Sequence, residues 1–190
     1  MNGQILSVRG QTPRISEDAF IASTAVIIGD VEIGARSSVW YHCVVRGDIH
    51  EIRVGEDTNI QDGTVIHVAR NAYGTYIGDG VTIGHLCLIH ACTLEDRCMI
   101  GMQATVMDGC VVEEGAFLAA GALLPPGKRI PAGEFWAGSP ARFVSKTKDS
   151  HQAMINRIGP GYAELGGEYR AEGLDLRQMD ATGPRPKTGA

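Results

Sequence analysis

The stretch 94–124, LEDRCMIGMQATVMDGCVVEEGAFLAAGALL, has a large aliphatic residue at every sixth position: Leu94, Ile100, Val106, Val112, Leu118 and Leu124. Four residues after each of the first five comes a small one: Cys98, Ala104, Cys110, Ala116 and Ala122. A helix repeats every 3.6 residues and a flat strand every two, so neither gives this pattern. A period of six with one large and one small inward residue is the signature of a parallel β-helix, in which short strands build the faces of a triangular prism. The period continues in both directions, through Ile28, Ile33, Val39, Val45, Val54, Ile60, Ile66, Ile77, Ile83 and Ile89 before the stretch and Ile130 and Trp136 after it. These eighteen rungs make about six coils of three. The steps that are not six, namely five after Ile28 and Ile89, nine after Val45 and eleven after Ile66, mark irregularities or loops. Ser37, Cys43, Thr58, Thr64, Cys87 and Thr93 join the small slot, so four of five cysteines read as packing residues, while Cys92 falls outside it.

The expected organisation is an N-terminal extension at 1–19, the β-helix at 20–142, a helical segment at 143–171 and a disordered tail at 172–190. In the helical segment Ser150 or Asp149 would cap a helix that Gly159-Pro160-Gly161 interrupts. Phe135 and Trp136 would cap the end of the prism. Seventeen basic and twenty-two acidic residues give a net charge of -5 without a basic stripe, which argues against nucleic acid as a partner. The N-terminus lacks a signal pattern and no apolar run is long enough to span a bilayer, so a soluble cytoplasmic protein without a membrane partner is expected.

The chain has six histidines. A regular coil takes eighteen residues, and the long step after Ile66 lengthens one coil to twenty-three, which is the separation of His67 and His90. The two therefore occupy the same outward slot in successive coils, about 4.8 Å apart. Two imidazoles at that spacing can share an ion at about 2.0–2.1 Å from each. The same count puts Arg46 one coil before His67. His85 lies around a corner on the adjoining face, out of reach of its own chain's pair. If prisms associate around a threefold axis, a neighbour's His85 completes the set and leaves a fourth position open for water. His42, His50 and His151 read as ordinary surface residues, His50 on a loop near Arg46 and His151 solvated at the helix start.

Beyond the fold, VVRGDIHEIRVGEDTNIQDGTVIHV (44–68) followed by IGHLCLIHACTLEDRCMIGMQATVMDGC (83–110) resembles the γ-class carbonic anhydrases, a family of hexapeptide-repeat left-handed β-helix proteins. The handedness comes from that resemblance. It implies a homotrimer holding Zn2+, or alternatively Fe2+ or Co2+, between subunits through His67, His85 and His90. It also implies reversible hydration of carbon dioxide to bicarbonate by a metal-bound hydroxide. Carried over by motif, Arg46 and Asp48 match the family's ion pair across the interface, Gln61 the residue that hydrogen-bonds the hydroxide, and Asn59 one that helps hold bicarbonate. Asp62 reads as a turn former. Where the best-characterised family pattern has two acidic proton-shuttle residues, this chain has Ile49 and Arg70, which makes the rate of turnover the weak point of the analogy. A metal-dependent CoA-thioester hydrolase would use the same ligands. GEFWAGSPARFV (133–144) also resembles the coil-closing segment of hexapeptide acyltransferases, and a non-catalytic trimeric scaffold is the third alternative.

Overall fold

The computed structural model describes residues 3–180 and 183–184. Short strands stack in parallel along three faces of a prism. The first face runs Phe20–Ile21, Ser38–Val39, Asn59–Ile60, Thr82–Ile83, Met99–Ile100, Phe117–Leu118 and Glu134–Gly138, and ends with the antiparallel strand Ala141–Lys146. The second face carries the first half of Val26–Ile33 and of Val44–Val54, then Val65–His67, Leu88–His90, Thr105–Val106 and Leu123–Leu124. The third takes the remaining halves of the two long strands, then Thr75–Ile77, Thr93–Leu94, Val111–Val112 and Arg129–Ile130. Six complete coils result. Residues 4–6 and 14–15 of the expected N-terminal extension pair with Val26–Ile33 and add a partial coil below them.

Along the axis the aliphatic rungs form a continuous buried column, in which Ile60, Ile66, Ile83, Ile89, Leu94, Ile100, Leu118 and Leu124 are fully enclosed. Each contributes about 1.5–3 kcal/mol by leaving water. Polar members of the small slot bond to backbone carbonyls: Ser37 Oγ donates to Gly55, Thr58 Oγ1 to Gly78 and Thr64 Oγ1 to Gly84.

Several expectations change. The inward residue of the second complete rung is Ile27, not Ile28, which restores a step of six to Ile33. After Ile89 the short step moves the small slot forward one place, so Cys92 is buried and Thr93 turns outward. All five cysteines are therefore core residues, and burial raises the Cys43 thiol to about 12 and the Cys87 thiol to about 11. The long step after Val45 is not a loop, because Val44–Val54 is one bent strand, and His50 lies on it.

Helix α1 (Asp149–Ala171) runs unbroken through Pro160. Pro160 removes one hydrogen bond, but the helix is held from outside by its buried side, Ile155, Gly159 and Gly166. Gly166 lies so close to the first face that a Cβ there would approach Phe20 Cβ to 3.2 Å. The N-cap is Lys148, whose N–H donates to His151 Nδ1, so neither Ser150 nor Asp149 caps the helix. His151 stacks on Phe135 and Phe117 with ring centroids 4.7 and 5.2 Å away, and is therefore a packing residue. Phe135 packs there under the helix, while Trp136 packs against the core. Part of the expected disordered tail also docks: Asp175 bridges to Ala22 of the first coil. The rest of that tail, 181–182 and 185–190, lies outside the described residues.

Candidate metal centre

Parallel pairing puts His67 directly beside His90 on the second face. Val45 pairs with Ile66, which places Arg46 in the same column one coil earlier. The two rings approach with centroids 5.3 Å apart and tilted by 52°, and His67 Nδ1 lies 3.3 Å from His90 Nε2. The outer nitrogens are both claimed by carboxylates: His67 Nε2 by Asp48 Oδ1 at 3.1 Å, and His90 Nδ1 by Asp108 Oδ1 at 2.7 Å. An ionised carboxylate can only accept, so each neutral ring carries its proton on the outer nitrogen. In that tautomer both inner nitrogens are unprotonated and able to donate to a cation.

Burial lowers the His67 pKa first, with the neighbouring Arg46 and His90 acting in the same direction and Asp48 opposing them. The neutral ring, the form that can donate to a cation, is thus favoured. Burial alone would raise Asp48, but the hydrogen bonds from Arg46 and His67 outweigh it and hold this carboxyl below its usual value. Arg46 Nη1 donates to Asp48 Oδ2 at 2.6 Å. This ion pair, expected across an interface, closes within one chain because residues two apart on a strand point to the same side.

His85 and the two amides form a second group on the first face. Thr82 pairs with Asn59 and Ile83 with Ile60, so the coil carrying His85 stacks on the coil carrying Asn59, Gln61 and Asp62. Asp62 Oδ2 meets His85 Nδ1 at 2.9 Å, while its Oδ1 accepts the Tyr41 N–H. Asp62 is therefore more than a turn former, since it fixes the His85 ring and leaves Nε2 as the donor atom. Gln61 Nε2 donates to Asn59 Oδ1 at 3.0 Å, and Asn59 Nδ2 donates to Thr82 Oγ1 at 2.9 Å. Both amides are almost wholly buried.

The structure thus brings together Arg46, Asp48, His67 and His90, and separately Asn59, Gln61 and His85. Among the described residues no three His, Cys, Asp or Glu side chains of one chain converge on a single point. The residue that sequence reasoning missed is Asp108. Asp48, Asp62 and Asp108 each hold one of the three histidines, Asp48 from within the strand Val44–Val54 and the other two from turns, so no common sequence position marks them.

Known proteins resemble this chain over most of its length. The family described as Bacterial transferase hexapeptide (six repeats) matches residues 12–47. Over 173 residues the chain is 46% identical to Gamma carbonic anhydrase 1, mitochondrial, of Arabidopsis thaliana, covering 88% of this chain but only 63% of that protein. It is 41% identical over 167 residues to a carbonic anhydrase of Geobacillus kaustophilus, covering 88% of this chain and 91% of the relative. A crystal structure of a hexapeptide transferase family protein from Anaplasma phagocytophilum superposes with a TM-score of 0.83 at 45% identity, covering 87% of this chain and 97% of that one.

Proposed function

The chain belongs to the γ carbonic anhydrase family of hexapeptide-repeat proteins, and from that premise we propose that it hydrates carbon dioxide reversibly at a divalent-metal site shared between copies of itself. The observation that carries this reading is the 3.3 Å separation of two imidazole nitrogens, His67 Nδ1 and His90 Nε2, on stacked coils. Two tetrahedral ligands at about 2.0–2.1 Å from zinc lie about 3.3 Å apart, so the separation of the two nitrogens matches such a pair.

The residues that would hold the ion are His67 and His90 of one subunit and the partner subunit's His85, with Zn2+ the best match to three imidazoles and Fe2+ or Co2+ the alternatives. A cyclic trimer lets every chain give one pair and one single histidine, so all sites are complete. The ion supplies hydroxide near neutral pH by acidifying water. Asp48, Asp62 and Asp108 fix the ring tautomers. Gln61 spends its amide N–H on Asn59, which leaves its carbonyl oxygen to accept a hydrogen bond from the reacting water. Arg46 gives one arm of its fork to Asp48 and keeps others for the carboxylate of bicarbonate. Ile49 and Arg70 offer no acid for proton export, so the proton leaves through dissolved buffer or another group.

The test uses two single variants, His67→Ala and His85→Ala. Each alone is expected to fold, assemble and bind almost no metal. Co-refolded in equal amounts, they should regain about a quarter of the sites, the random-mixing value for a closed ring. Full metal in either variant alone, or none in the mixture, defeats the shared site. A thioester hydrolase would use the same ligands, and carbon dioxide hydration measured beside thioester cleavage on the wild-type oligomer separates the two. An acyltransferase or a scaffold would lose no activity on removal of the metal.

A further inference from the structure

The corner that follows His85 turns through a residue with positive φ, as corners of this prism commonly do. Nine non-glycine residues among those described have positive φ, and eight of them are polar or alanine. The exception is Leu86, at φ 60°, where a leucine is strained by about 1–2 kcal/mol relative to glycine. The side chain gains little in return within one chain, since Leu86 is 60% exposed. It leans on the turn below, so close that a Cβ at Gly63 would lie 2.6 Å from its Cδ2. That turn carries Gln61 and Asp62, and the Leu86 N–H donates to the Asp62 carbonyl. The leucine is therefore fixed beside the His85 anchor.

Two other exposed aliphatic side chains have matching positions. Val65 and Leu88, 38% and 37% exposed, precede His67 and His90 by two residues and so share their side of the strand. The two are paired in register. Each of the three histidines thus has an uncovered aliphatic neighbour. We infer that Leu86, Val65 and Leu88 form an apolar collar around the three-histidine site, with Leu86 as its closing member, which admits a small neutral molecule and excludes chelating or bulky anionic ones. This inference rests on the shared site proposed above. It concerns access to that site: a weakly hydrated small molecule passes an apolar collar at little desolvation cost, whereas a bulky polyanion incurs a large one.

The test measures how fast a bulky anionic chelator, EDTA, strips zinc from the loaded oligomer, a readout independent of turnover. Leu86→Gly removes the side chain and suits the positive φ. Leu86→Asn keeps the size and tolerates the same backbone but is polar. Both are expected to keep the oligomer mass and a full metal complement and to lose zinc at least ten times faster, while Leu86→Met keeps the slow rate. Stripping at the wild-type rate in the Gly and Asn variants overturns the collar. So does dissociation of either into single chains, which would make Leu86 an anchor of assembly. Wild-type protein that binds zinc but hydrates no carbon dioxide defeats the proposed function without touching the stripping result, so the two failures are distinguishable.

Discussion

Asp108 shows what a single carboxylate does for this site. Its 2.7 Å contact with His90 Nδ1 fixes both the ring orientation and the nitrogen that bears the proton. Without it the imidazole can rotate or change tautomer, and its inner lone pair is no longer aimed at the His67 nitrogen. Asp108→Ala should therefore weaken zinc binding by about 10–100-fold while the prism stays folded, as read by competition with a coloured chelator alongside circular dichroism. An unchanged affinity would mean that packing alone holds the ring. The histidines themselves could be found by counting residues. Asp108 could not, because a carboxylate in a turn has no periodic slot, and only the folded corner shows which ring it reaches.

Helix α1 is the element for which sequence pattern and structure disagree most. Gly159-Pro160-Gly161 carries the local chemistry of a helix break, yet it lies inside a helix of 23 residues. Small residues that weaken an isolated helix are what let this one sit close on the first face, at Gly159 and Gly166. Tertiary packing outweighs propensity here. The Pro160 ring is exposed and leaves the Asn156 carbonyl without its helical donor. Pro160→Ala should then restore that bond at no cost in packing and stabilise the protein by about 1–3 kcal/mol, measured by chemical denaturation. A loss of stability would show that the proline ring is itself needed. On the prism, by contrast, the period of six located almost every rung; its errors of one residue were taking Ile28 for the inward Ile27, where the period holds, and missing Cys92, where the step after Ile89 is five.

For the molecule as a whole, the C-terminal segment is tied back to the first coil. The Asp175 side chain is 1% exposed, accepts the Ile21 and Arg177 N–H groups, and is paired with the Arg177 guanidinium at 2.8 Å. Arg177 also donates to the Ser16 and Ala19 carbonyls. The two ends of the chain, more than 150 residues apart, are thereby joined at one end of the prism. Arg177→Ala would leave a buried carboxylate without its counter-charge and should cost about 3 kcal/mol, seen as a lower denaturation midpoint. Replacing Asp175 and Arg177 together by neutral residues should cost less than the single change. Equal or greater loss in the double variant would locate the stabilisation in packing instead of charge.

The amino-acid sequence by itself determined the prism, its six coils and the stacking of His67 on His90, because a strict period leaves one register for each inward residue and counting then transfers to the outward ones. Tertiary structure alone decided which carboxylate holds each ring, that the helix runs through its proline, and that the segment carrying Asp175 and Arg177 returns to the first coil. These depend on contacts between parts of the chain with no common period, and their energies come from burial and hydrogen bonding that exist only after the coils have stacked.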